Sequence, residues 1–68
     1  MNKNLLRSIM VLHNDTNGNL AEYLQISESR FSAKMNETNG AEFTQSEIRH
    51  IVSRYNLSPD QTSQIFFA

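Results

Sequence analysis

The chain has no cysteine in its 68 residues, so it has neither a disulfide framework nor a thiolate metal site. Its histidines, His13 and His50, stand apart without further ligands and make no zinc site. They read as polar residues on helix surfaces. Glycine is scarce, with 2 in the chain, which is too few for a phosphate-cradling loop. There is no nucleophile–base pair and no paired carboxylates with a pocket, so no catalysis and no cofactor are expected. No secretory core segment and no bilayer-spanning apolar run is present, and a soluble, cytoplasmic protein is expected. Positive charge is also in short supply. Six Lys and Arg face seven Asp and Glu, for a net charge of −1. That balance weakens any nucleic-acid reading, because neutralising phosphates supplies most non-specific affinity.

What is present is helical periodicity broken by polar clusters. The length allows one domain, residues 1–68, with a small core. The first helix is predicted from about Lys3 to His13. Leu5, Ile9 and Leu12 form its stripe, widened by Leu6 and Met10. The cluster Asn14–Gly18 breaks it, and Thr16 or Asn17 caps the next helix. Leu20, Ala21 and Leu24 are that helix's inner face. Gln25 and Ile26 interrupt, and Ser27 is a good N-cap for a third helix over about Glu28–Met35. Phe31 and Met35 face inward there. Ala21 is small where two crossing helices must approach, and Ile26 plugs the turn. This is a helix-turn-helix pattern.

The third helix is then the candidate recognition helix. Ser29, Arg30, Ala33 and Asn36 point broadly away from Phe31 and Met35, on a short polar face suited to a major groove. Arg30 is the candidate for a forked contact to guanine, Ser29 for a base edge or phosphate, and Ala33 for a thymine methyl. Glu28 either accepts from cytosine or, the preferred role, favours the helix N-terminus through the dipole. Asn17, Ser27 and Lys34 are the expected phosphate contacts. The free N–H groups near Asn17 and Gly18 are a further place for a phosphate.

After a second breaker cluster, Asn36–Gly40, Thr44 and Glu47 form a capping box, with Phe43 and Ile48 as its hydrophobic staple. Ile48, Ile51, Val52 and Tyr55 line the fourth helix. Asn56 ends it, and Leu57 is a plug in the linker. Ser58, Pro59, Asp60 and Gln61 start a fifth helix, which Ile65, Phe66 and Phe67 close. Phe66 and Phe67 are neighbours and cannot face the same way. One packs inward. The other, with Ile65 or the apolar surplus of Leu6 and Val11, is the candidate surface for pairing with another chain.

The run from Thr16 through Leu20, Ala21, Leu24, Ile26, Ser27, Phe31, Ser32, Lys34, Met35 and Asn36 resembles the Cro/repressor-type (XRE-like) helix-turn-helix family of phage and bacterial regulators. The remainder, Glu42–Ile48, Asn56–Asp60 and Ile65–Phe67, is similar to the small Cro-like proteins of temperate phages of Gram-positive bacteria. The resemblance covers nearly the whole chain. It implies an all-α, compact five-helix, lambda-repressor-like domain that dimerises on double-stranded operator DNA and represses transcription in a bacterial host cell. Some proteins of this group are antirepressors that bind a phage repressor protein instead, and that is the alternative reading here. Two positions depart from the family pattern. Gln25 stands where the turn usually has glycine, and Asn17 stands where the second helix usually begins with glutamine.

Overall fold

The computed structural model describes residues 1–67. Among these residues are five α-helices: α1 (Lys3–Leu12), α2 (Asn17–Leu24), α3 (Glu28–Asn36), α4 (Gln45–Tyr55) and α5 (Pro59–Phe66). A single 3-10 turn, Thr38–Gly40, lies between α3 and α4. Each helix starts at a side-chain cap. Asn2, Thr16, Ser27, Thr44 and Ser58 accept from the backbone N–H three residues on, each at 3.1 Å. A cap of this kind is worth about 1 kcal/mol. Thr44 and Ser58 are reciprocated by Glu47 and Gln61, completing two capping boxes. Phe43 and Ile48, on either side of the first box, are both buried, as a hydrophobic staple requires.

Because glycine is scarce, helices end on residues with side chains. Gln25, Glu37 and Asn56 close α2, α3 and α4 in the left-handed region, with φ of 61°, 53° and 51°. Asparagine tolerates this conformation better than the other two.

The core draws on all five helices. Leu6, Met10, Leu20, Ala21, Phe31, Met35, Ile48, Ile51, Tyr55 and Ile65 are buried together, with Leu57 as the expected plug in the α4–α5 linker. α1 lies across α5, where the Asn2 N–H donates to the Ile65 carbonyl at 2.6 Å. The rotation of α1 differs from the expectation. Leu6 and Met10 are at the centre of the buried face, Leu5 and Ile9 are at its edge, and Leu12 is 79% exposed. The apolar arc of α1 is wider than its neighbours cover, so one edge is left outward. Leu6 therefore belongs to the core and not to an exposed surplus. The same correction applies to Ile65, which is fully buried, whereas Val11 is exposed as anticipated. No helix among the described residues is long and apolar enough to cross a membrane.

Candidate nucleic-acid interface

Three residues, Gln25–Ser27, join α2 to α3. Gln25 N–H reaches back to the Glu22 carbonyl, and Ile26 N–H to the Ala21 carbonyl, both at 3.0 Å. With Gln25 left-handed, this is the double hydrogen bond of a Schellman end. It turns the chain sharply while satisfying carbonyls that α2 would otherwise leave open. Ala21 is 2% exposed, and Ile26 packs on the core from within the turn. The geometry answers the departure at Gln25: the position does take positive φ, at roughly 1 kcal/mol of strain for a residue with a Cβ.

On α3, Phe31, Lys34 and Met35 are buried. At about 100° per residue, the outward direction opposite them falls among Ser29, Ala33 and Asn36, with Ser32 toward the Glu28 side. Ser29, Ser32 and Asn36 are exposed, and Ala33 is half-buried. Arg30 is exposed and lies on one flank of this face, with Glu28 toward the other. The Arg30 guanidinium has no hydrogen-bond or ion-pair partner among the described residues. Ser32 was not among the expected site residues, although its spacing from Ser29 and Asn36 places it on the same face. Ser27 is exposed, and its hydroxyl oxygen accepts from Arg30 N–H, leaving its own proton free to donate. Asn17 is the first residue of α2 and is half-buried.

Glu28 lies between two helix starts. It is in the first turn of α3, and a methyl placed on Gly18 would lie 3.5 Å from its Oε1. A carboxylate is favoured beside either helix N-terminus. The same carboxylate occupies the approach that a phosphate would take toward Gly18.

Lys34 does not reach the surface as expected. It is 8% exposed, and its Nζ donates to both carboxylate oxygens of Glu47, at 2.7 and 2.8 Å. The periodicity alone put Lys34 near the flank of α3. Once α4 packs beside it, that flank is interior, and the ammonium is retained by a carboxylate instead of a phosphate. Glu47 Oε1 also accepts from Thr44 N–H at 2.8 Å, so one side chain completes the α4 cap and neutralises Lys34. Burial pushes the Glu47 carboxyl up, but the Lys34 and Thr44 hydrogen bonds outweigh it and hold the group below its usual value.

No protein-family model, curated protein or solved structure matches this chain.

A second ion pair lies away from α3. Arg54 grips Asp15 with two hydrogen bonds, at 2.8 and 2.9 Å, and the Tyr55 hydroxyl donates to the same carboxylate at 2.8 Å. The Arg54 hydrogen bonds lower the Asp15 pKa, against opposing burial and with help from Tyr55, to about 2. Burial, aided by the bond to Asp15, pushes the Tyr55 phenol above its ordinary value. Arg54 also lies over the Tyr23 ring, 4.6 Å from its centroid, and joins α4 to α2. The histidines are both exposed, His13 with its ring 5.0 Å from that of Tyr55.

Near α3, Arg30 is exposed, and Lys3 is half-buried with its Nζ donating to Asn36 Oδ1 at 2.8 Å. On the far side of α4, an open groove of about 420 Å³ runs between α4 and α5. Ile48, Val52, Leu57 and Pro59 line it, and Phe67, 60% exposed, stands at its edge. Phe66 is the inward member of the aromatic pair, edge-on to Phe43 at 6.2 Å.

Proposed function

We propose that the chain is a sequence-specific operator-DNA-binding transcriptional regulator that inserts α3 into the major groove. The observation that carries this reading is the exposed polar outer face of α3, presented by a tight, strained turn from α2. Ser29, Arg30 and Ala33 read base edges, and Ser32 joins them from the flank of the same face. Ser27 and Asn17 contact phosphates, which fixes the register of α2 across the backbone. Lys34 has no part in this contact. Two copies bind together, one on each half-site, in the manner of helix-turn-helix dimers. The groove between α4 and α5, with the exposed Phe67 beside it, is the surface assigned to that pairing. The test is a mobility shift on a randomised duplex pool at low and moderate salt, with selection of the bound fraction. A selected sequence bound more tightly than the pool is expected. Failure of the folded protein to shift any duplex at micromolar concentration refutes the reading.

One observation favours a second reading, an antirepressor that binds a partner repressor. The chain carries a net charge of −1, and two of its cations, Lys34 and Arg54, are consumed by Glu47 and Asp15. Tight complex formation with a helix-turn-helix repressor, without a DNA shift by this chain alone, would establish it.

A further inference from the structure

The proposed reading leaves α3 short of a phosphate-binding cation, because Lys34 is bound to Glu47. The structure places another cation close to the same helix. Lys3 is the first residue of α1, yet its ammonium meets the last residue of α3, donating to Asn36 Oδ1 at 2.8 Å. Asn36 is itself fixed, since its Nδ2 donates to the Ser32 carbonyl at 3.0 Å. A chain of hydrogen bonds thus runs from Lys3 through Asn36 to Ser32 along the exposed side of α3. Asn36 is neutral, so among the described residues Lys3 meets no carboxylate, in contrast to Lys34 and Arg54. An ammonium has three donors, and Asn36 takes one of them.

We propose that Lys3, seated on Asn36, is the phosphate-contacting cation of the α3 surface and binds the DNA backbone beside the C-terminal end of the recognition helix. The inference rests on the DNA-binding reading and adds to it a residue from a different helix. It makes the contact between Lys3 and Asn36 part of the binding surface. Arg30 lies near the start of α3 and Lys3 at its end, so the two cations bracket the polar face along its length. Lys3 carries charge and position but no base information, whereas Ser29 and Ser32 carry the reverse.

The experiment uses a duplex selected by the unaltered protein from a randomised pool, beside a scrambled duplex of equal length. Affinities of the unaltered protein, Lys3→Gln and Lys3→Arg are measured by fluorescence anisotropy across a salt series. The expected result is that Lys3→Gln weakens both duplexes by the same factor and lowers the slope of log affinity against log salt by about 0.9, the value of one lost phosphate contact. Lys3→Arg should restore the slope. Circular dichroism melting reports whether Lys3→Gln has disturbed the helices, and an unchanged melt is expected, since the bond it removes lies at the surface. An unchanged slope in Lys3→Gln, with the unaltered protein binding in a salt-dependent way, overturns the proposal and makes Lys3 a surface tie between α1 and α3. Loss of discrimination between the duplexes, in place of a uniform weakening, also overturns it. If the unaltered protein binds neither duplex, the DNA-binding reading itself has failed and the assignment of Lys3 falls with it.

Discussion

Exchange of Glu47 for glutamine isolates the charge of the Lys34–Glu47 pair. Glutamine at this position still serves a capping box, so the α4 cap survives and the ionic partner of Lys34 is lost. The two side chains are 10% and 12% exposed, which puts the pair among buried salt bridges. Removing one member of such a pair costs about 3–5 kcal/mol, because the other charge is left uncompensated. The residual exposure argues for the lower end, about 3 kcal/mol. A domain of 68 residues has roughly 3–10 kcal/mol of stability in total, so this is a large share of it. Tm should fall by about 15 °C. Lys34→Met removes the other member and leaves a carboxylate that still accepts from Thr44, at a cost of about 2 kcal/mol. Together the substitutions give an apolar contact and a neutral cap. The double variant should lose no more than about 2 kcal/mol, where addition gives about 5, a coupling of about 3 kcal/mol. Urea unfolding of all four proteins measures this cycle. Single losses below about 1 kcal/mol that simply add would refute the argument and make the pair a solvated one. The double variant has a second use. If Lys34 is structural, its DNA affinity and salt slope should match those of the unaltered protein.

Arg30→Ala should cost about 1–3 kcal/mol of DNA affinity and relax preference at one base pair, checked by repeating the duplex selection with the variant; uniform weakening would assign Arg30 to phosphate. Gln25→Gly relieves the left-handed strain of the turn and should raise stability by about 0.5–1 kcal/mol, read as a higher urea midpoint with an unchanged m-value. Asp15 carries an acid dependence. Its pKa falls from 3.8 to about 2 on folding, so its contribution is complete above about pH 5 and is lost as pH drops toward 2. Asp15→Asn should flatten that part of a pH–stability curve by about 1–2 kcal/mol, after allowance for solvent screening; an unchanged acid limb would contradict the pairing with Arg54. If the proposed pairing through the α4–α5 groove holds, the unaltered protein sediments as a dimer and Phe67→Glu as a monomer, with far-ultraviolet dichroism intact; a monomeric unaltered protein would refute the pairing.

The elements were legible because their signals are local. Caps at Thr16, Ser27, Thr44 and Ser58, with breaker clusters around Asn14 and Asn39, place helix boundaries within a residue or two of the observed ones. The left-handed turn at Gln25 carries no local signal, since glutamine rarely takes that conformation. What failed was rotation and partnering. Leu5 and Leu6 are both apolar, and only the packing of α1 on α5 decides which of the two directions is central. Lys34 failed for the same reason: a lysine on a helix flank looks exposed until the neighbouring helix supplies a carboxylate. Glu47 had been fully explained by its capping box, so nothing in the spacing asked for a second role. The Asp15–Arg54–Tyr55 cluster and the Lys3–Asn36 contact join residues distant in sequence, which no window of periodicity contains.

The Asp15–Arg54 clamp has a kinetic consequence. Its partners are 39 residues apart, whereas α2 and α3 are joined by a short turn. Closing a long loop costs chain entropy before any contact repays it. The α2–α3 unit can therefore assemble early, while the clamp closes late, on the native side of the folding barrier. A substitution that breaks it should leave the refolding rate nearly untouched and accelerate unfolding. The bond between Asp15 and Arg54 thus governs how long the folded chain persists more than how quickly it forms.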